Sequence, residues 1–371
     1  MKRPLLLLIL GFLGLAFSEE VPDTNFQRFG GVPAVAYAEE TGWQLGALGL
    51  VFFRPTGPRD PGSQLDIAAI FTTKNQKRFV FSPDIALWGG LVFYESSWQY
   101  FDWPGKYWSG GNTPTDSALT YNMHMWMASG NFKIPLQPLA ELPQVLRDHV
   151  EGGLEYDLEN NHAHMNIPDS AKIAADPQSY PQSGPTRMGG NRVGLGYGLI
   201  WDSRDHDNWP RSGSFAWFRQ RIYRKEIGSA WNFYDTRIDL RKFVPTPLKG
   251  AWCMSSFWES LGGDVPFDRL AMPDGTYHMR GLEKGRLRDQ QQWVLQGEWR
   301  VPLFWRFSAA SFAEAGKVGP YFSELMRNDF HYAYGIGGRM ALNPKRKVNI
   351  RGDLSWVDGG IGMTIYFKEA F

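Results

Sequence analysis

Beyond residue 18 the chain has no apolar run near the roughly 20 residues that a membrane-spanning helix needs. From Gly42 onward, strand-length segments recur instead, separated by turn or loop chemistry. Residues 91–101 show the pattern, with Val92, Tyr94, Ser96, Trp98 and Tyr100 on one face. Period-two patterning over about ten residues is what a tilted strand crossing a bilayer requires. Leu154, Tyr156 and Leu158 alternate in the same way with Glu155, Asp157 and Glu159. The candidates are a transmembrane β-barrel and an exported soluble β-sandwich or β-helix.

Aromatic load separates them. The chain carries 16 Trp, 15 Tyr and 25 Phe beside 41 Gly. In a membrane barrel, lipid-facing and lumen-facing residues dilute each other in any hydropathy average, while aromatics form girdles at both interfaces. A soluble sandwich shares the strand richness without that load. Targeting agrees: Lys2 and Arg3 precede an apolar stretch over 5–15, and Ala16-Phe17-Ser18 is a small-x-small cleavage site. Residues 1–18 therefore read as an export signal peptide. No cysteine near that point suggests lipid attachment. Removing Lys2 and Arg3 takes the formal charge from +1 to about −1. A near-neutral chain lacks the concentrated basic face that nucleic acid requires. The single Cys253 excludes an intramolecular disulfide framework and a cysteine-pair metal site.

Sixteen strands are expected, from 44–53 to 361–367. Residues 118–127 and a weak 131–136 count as separate strands, and 160–190 as a long outside loop. The number is even, as in bacterial single-chain barrels. Residues 19–41, too few to fold alone, read as a short periplasmic N-terminal segment. Residues 42–371 read as one antiparallel transmembrane β-barrel of outer-membrane type.

Catalytic and ligand motifs are sparse. Gly194-Leu195-Gly196-Tyr197-Gly198 and Gly335-Ile336-Gly337-Gly338 lack the following helix that a phosphate cradle needs; glycine in a strand marks curvature or close approach. His162 and His164 have no identifiable third ligand, so they read as a solvated loop pair and no metal is expected. No GxSxG elbow occurs, and neither a cofactor nor an enzyme activity is indicated. Asp202-Ser203-Arg204-Asp205, Pro210 and Arg211-Ser212-Gly213 supply the chemistry of a tight turn, placed on the periplasmic side.

Those residues also belong to a wider pattern. With Tyr37-Ala38-Glu39-Glu40-Thr41-Gly42, Arg280-Gly281, Gly285-Arg286, Arg288-Asp289, Glu298-x-Arg300, Phe312-x-Glu314-x-Gly316 and a C-terminal aromatic strand ending in Phe371, the chain resembles the bacterial surface antigen superfamily, the BamA/TamA-like outer-membrane barrels. The resemblance covers nearly all of the chain after the signal. It departs in having Leu282 where many relatives have an aromatic residue and Glu314 where aspartate is common. It is closest to the barrel-only form, without the POTRA repeats that hand substrate to the barrel.

The resemblance places a lumen-folded loop at 262–289, between the eleventh and twelfth strands. Charges on the lipid face are costly, about 2–4 kcal/mol for Lys or Arg at the midplane and less for acids. Glu298 and Glu314 are therefore expected to face inward, leaving Trp299, Val301 and Leu303 outward. Read from the residues alone, Arg280 is either a solvated loop residue or the cation that this carboxylate pair attracts. The resemblance favours the second: a lock of Arg280 and Gly281 with Glu298 and Glu314. It also implies that the segment with Tyr366 and Phe371 acts as an assembly signal. Finally, it implies insertion or translocation of outer-membrane or surface proteins through a seam between the first strand, 44–53, and the last, with Gly46, Gly49, Gly360 and Gly362 loosening its edges. Outer-membrane lipid, nascent client proteins and separate periplasmic proteins are the expected partners. A passive pore and a scaffold barrel are the alternatives.

Overall fold

The computed structural model describes residues 29–38, 42–54, 62–108, 110–114, 118–136, 141–165, 189–206, 208–343, 348–367 and 369–371. The export signal, Glu39 to Thr41 and residues 166–188 of the expected outside loop lie outside the described residues.

Sixteen antiparallel strands follow one another in a single meander. They are β1 (Phe29–Ala38), β2 (Gly42–Phe53), β3 (Ser63–Thr72), β4 (Lys77–Leu87), β5 (Val92–Tyr107) and β6 (Leu119–Pro135). Next come β7 (Val150–Met165), β8 (Gly190–Asp202), β9 (Gly213–Tyr223), β10 (Phe233–Pro245) and β11 (Ala251–Gly263). The series ends with β12 (Gln291–Pro302), β13 (Phe307–Gly319), β14 (His331–Asn343), β15 (Val348–Val357) and β16 (Gly360–Phe367). Short helices α1 (Gln144–His149) and α2 (Phe322–Arg327) sit in connections, and no described helix is long and apolar enough to cross a membrane.

Strand parity divides the wall. On β12, Gln292, Val294, Gln296, Glu298 and Arg300 are buried, whereas Trp293, Leu295, Trp299 and Val301 alternate with them on the outer side. Leu154, Leu158, Leu195, Leu199, Trp252, Tyr334 and Ile336 are exposed on neighbouring strands. The apolar face thus points to lipid and the polar face to the lumen, as in the wall of a transmembrane β-barrel. Curvature brings distant strands together: Gly111, after β5, bridges to Arg288, and His331 on β14 reaches the Asn112 carbonyl at 2.8 Å.

The strand count matches expectation through two compensating differences. Residues 118–127 and 131–136 form one strand, β6, which pairs continuously with β5 through Ser129 and Gly130. The first strand is not 44–53, which is β2, but β1, within the segment expected to be a periplasmic lead-in. Its Gly30-Gly31 and Pro33 hide it from strand patterning, yet proline is tolerated where a strand pairs on one side only. Gly46 and Gly49 consequently lie on β2, paired on both sides, and not at the seam. His162 is exposed on the extended β7 and the backbone of residue 164 is in the same strand, so the pair is not in a loop. β16 ends at Phe367, so Phe371 is not part of the last strand.

Candidate functional site

Connection 264–290, between β11 and β12, turns into the barrel and is held at two places. The first lies on the β7–β10 wall. A single 3-10 turn, Phe267–Arg269, presents Asp268 and Arg269 to a lumenal charge cluster. Arg269 sits 2.8 Å from Asp157, 3.5 Å from Glu159 and 3.6 Å from Asp235, and donates to the Tyr223 hydroxyl at 3.1 Å. Asp268 accepts from Arg192 at 2.6 Å and from Asn161 at 2.5 Å. Gly194 leaves the space that the Tyr223 ring fills, which gives part of the β8 glycine run a steric reason.

The second hold is at the loop tip. Asp274 caps the turn by accepting from the backbone N–H groups of Thr276, Tyr277 and His278 at 2.7, 2.6 and 3.1 Å. Its other oxygen lies 3.3 Å from His278 Nδ1. Burial opposes both charges, yet this pairing holds Asp274 below the usual carboxylate range and lifts His278 above the usual imidazole value. Asp289 at the loop's end is pushed up to about 6 by burial, against a hydrogen bond from the Gln290 amide.

Arg280 lies between the acids of two adjacent strands. Its Nε donates to Glu314 Oε1 at 2.5 Å, its Nη1 to Glu298 Oε2 at 2.5 Å, and its backbone N–H to Glu314 Oε2 at 2.7 Å. Asp353 on β15 stands 3.4 Å from Nη1, and the Phe312 ring lies 3.5 Å below the guanidinium. Arg280, Glu298 and Glu314 side chains are wholly buried. Desolvation opposes the Arg280 charge, but Glu314, Glu298 and Asp353 outweigh it and raise its pKa above the ordinary value.

Each marked residue of Phe312-x-Glu314-x-Gly316 has a distinct part here, since period two puts all three on the lumenal face. Phe312 stacks under Arg280, Glu314 binds it, and Gly316 makes room for Met279, whose Sδ stands 2.8 Å from where a Cβ would be. Met279, at φ 54°, is buried with Leu282, Leu287, Val294 and Val318. Gly281, at φ 84°, lies against Gly362 of β16; a Cβ on Gly362 would be 2.5 Å from the Gly281 Cα. Tyr277 meets Tyr366 edge-on at 5.2 Å. The loop tip therefore touches the last strand of the sheet directly, and Gly362 marks that contact.

Other marked residues are placed as follows. Arg286 stands 3.9 Å from Asp358, and Arg288 covers the Phe267 ring at 5.1 Å. Between β8 and β9, Arg204 binds Asp202 through Nε at 2.9 Å and Nη2 at 2.5 Å. Asp205 accepts from the Arg211 and Ser212 amides at 2.8 and 3.1 Å. Pro210 is buried beside them, and Gly213 turns at φ 99°. These residues form the turn between β8 and β9, whose Trp209 ring lies 5.5 Å from the Arg300 guanidinium. Phe371 instead enters the lumen and packs with Phe243, Ala251, Cys253 and Ala370.

Sequence patterning does not single out several members of the cluster. Gln296 joins Glu314 at 3.1 Å to the Tyr277 carbonyl at 2.6 Å. Arg339 binds Asp353 at 2.5 Å and stands 3.3 Å from Glu298, while Arg351 donates to the Thr276 carbonyl at 2.5 Å. Charge in mid-strand was the available signal, because lipid cost turns each such residue inward. Among the described residues, no group of three or more His, Cys, Asp or Glu side chains is arranged to hold a metal ion.

A sequence profile described as the Omp85 superfamily domain matches residues 90–343. The fold is similar to the crystal structure of BamA from Haemophilus ducreyi lacking POTRA domains 1-3, with TM-score 0.58 and 13% identity over 92% of this chain and 68% of that one. It is also similar to CdiB from Acinetobacter baumannii, with TM-score 0.56 and 10% identity over 92% of this chain and 59% of that one. At such identities the likeness is one of fold. No curated protein sequence matches the chain.

Proposed function

The chain belongs to the Omp85 superfamily, and from that premise we propose that it inserts or translocates other outer-membrane or surface proteins, working at the edge between β1 and β16. One observation carries the reading. Every other neighbouring pair of strands is laddered, but among the described residues no ladder joins β1 to β16. Unpaired backbone groups are costly in lipid and offer hydrogen bonds to an incoming strand. The client is accordingly an extended segment of a nascent outer-membrane or surface protein, the surroundings are outer-membrane lipid, and periplasmic proteins would deliver the client.

In this reading Arg280, Gly281, Glu298 and Glu314 form an internal lock that braces the working edge. The support is spatial: the lock fixes the loop tip, and the tip rests on Gly362 and Tyr366 of β16. A loop crossing the lumen also argues against a steadily open pore. The turn of Asp202, Arg204, Asp205, Pro210 and Gly213 serves the wall. A signal role for Tyr366 and Phe371 would belong to assembly, since Phe371 is buried in the finished barrel. Cysteine pairs stapling β1 to β16 test the proposal, and native Cys253 is buried and does not compete. The staple should abolish client insertion into vesicles while leaving the barrel folded; undiminished insertion would reject the seam.

A further inference from the structure

Past β16, Glu369, Ala370 and Phe371 are all buried in the lumen. The Phe371 ring packs on Phe243, Ala251 and Cys253 of β10 and β11, with the Arg300 guanidinium 5.4 Å from its centre. Arg300 Nη2 donates to the Phe371 carbonyl oxygen at 2.9 Å. Glu369 accepts from Arg339 and from Asn349, both at 2.9 Å. This short segment therefore occupies a made pocket of the lumen.

Its polar partners are shared with the loop. Glu298 Oε2 receives Arg280 at 2.5 Å and Arg339 at 3.3 Å, while Glu298 Oε1 receives Arg300 at 2.5 Å. Asp353 divides its two oxygens between Arg339 and Arg280. Four buried guanidinium groups, of Arg280, Arg300, Arg339 and Arg351, thus face four buried carboxylates, of Glu298, Glu314, Asp353 and Glu369. Glu369 supplies one of these carboxylate side chains and meets Arg339 Nε at 2.9 Å. Without it, Arg339 would turn wholly to Glu298 and Asp353, the acids that Arg280 also uses. A buried guanidinium short of partners is costly in a low-dielectric interior.

We propose that the lumenal pocket for residues 369–371 and the Arg280 site are one coupled device, in which docking of Glu369 and Phe371 holds the β11–β12 loop in place and their withdrawal releases it. The physical basis is reciprocity: two segments coupled through the same Glu298 and Asp353 must each change the other's affinity by the same factor. The geometry gives the coupling a direction. The segment follows β16, and the loop tip rests on β16, so displacement of that strand's end would loosen both. This last meaning rests on the proposed seam; the coupling itself is read without any client.

The test uses the full chain, folded in detergent micelles, with limited proteolysis of the loop as the readout and heat-modifiable gel migration to verify a folded barrel. Glu369→Gln keeps the hydrogen-bonding shape and removes the charge. It should raise loop cleavage about tenfold or more, as expected when a buried cation loses its partner. Phe371→Ala should do the same by removing the apolar anchor. Adding Arg351→Gln to Glu369→Gln removes a cation that stands 3.6 Å from Asp353 while leaving a donor for the Thr276 carbonyl, and should bring cleavage back towards the wild-type rate. Loop cleavage unchanged in both single variants would overturn the coupling. A double variant cleaved as fast as Glu369→Gln alone would overturn its origin in competition for the shared acids.

Discussion

Replacing Arg280 by alanine tests the lock most simply. The change removes two charge-assisted contacts of 2.5 Å, to Glu298 and Glu314, and the stacking on Phe312. The consequences for the two acids differ. Glu298 retains Arg300 and Arg339, whereas Glu314 is left with Gln296 at 3.1 Å and a backbone amide. Glu314 thus becomes a buried charge without a cation, and removal of one partner from a buried pair costs about 3–5 kcal/mol. That cost falls on loop docking and not on the ladders, so it appears as local opening. An opening free energy lowered by that amount raises the open population by about two to four powers of ten, and cleavage follows the open population when reclosing is fast. Limited proteolysis of 264–290 in micelles measures it. Arg280→Lys should fall between, because one ammonium cannot serve two carboxylates with the fork of a guanidinium. If Arg280→Ala leaves both the cleavage rate and the heat-modifiable transition at wild-type values, the lock does not hold the loop.

The other perturbations reach the loop by independent routes. Gly362→Ala collides with the Gly281 backbone while removing none of the side chains that bind Arg280; it should raise loop cleavage and cost about 1–3 kcal/mol in docking, measured by the same proteolysis. Arg269→Gln should free the loop's other end from Asp157 and Asp235 and lower the barrel's unfolding temperature, read by gel migration against heating. Loop protection should also depend on pH. The raised His278 pKa gives stability fully present below the ordinary 6.5 and lost as pH rises through the folded value. Asp289, lifted from 3.8 to about 6, contributes fully below 3.8 and loses that contribution as pH rises through about 6. Asp274, depressed, contributes above 3.8 and loses that contribution in stronger acid. Protection should therefore peak near about pH 4 and decline from there towards pH 8, and His278→Gln with Asp289→Asn should flatten the alkaline side.

Parity made much of the lumen legible in the sequence. Glu298 and Glu314 had to face inward because lipid would penalise them, and their spacing from Phe312 and Gly316 put one face of β13 under the loop tip. The same rule extends to Arg339, Arg351 and Asp353, but these lie on β14 and β15 with no common spacing, and only the curvature of the sheet brings them to Arg280. Arg269 lies in an aperiodic loop, where no rule of period applies. β1 is obscured by Gly30-Gly31 and Pro33, whose tolerance depends on having a neighbour on one side only. β6 reads as two pieces because Ser129 and Gly130 interrupt its apolar face, although Gly130 is where β5 approaches closely at Ser96. The inward path of Phe371 has no local signal, because an aromatic residue after a strand fits a girdle and a lumenal pocket equally well.

Photo-crosslinking in cells tests the seam most directly. The crosslinker is placed at Gly31 on β1, at Met363 on β16, and, as a control on the laddered wall, at the outward Leu199 of β8. The seam account predicts that Gly31 and Met363 trap nascent outer-membrane or surface proteins while Leu199 traps none. Equal trapping at all three positions, or trapping at Leu199 alone, would contradict it.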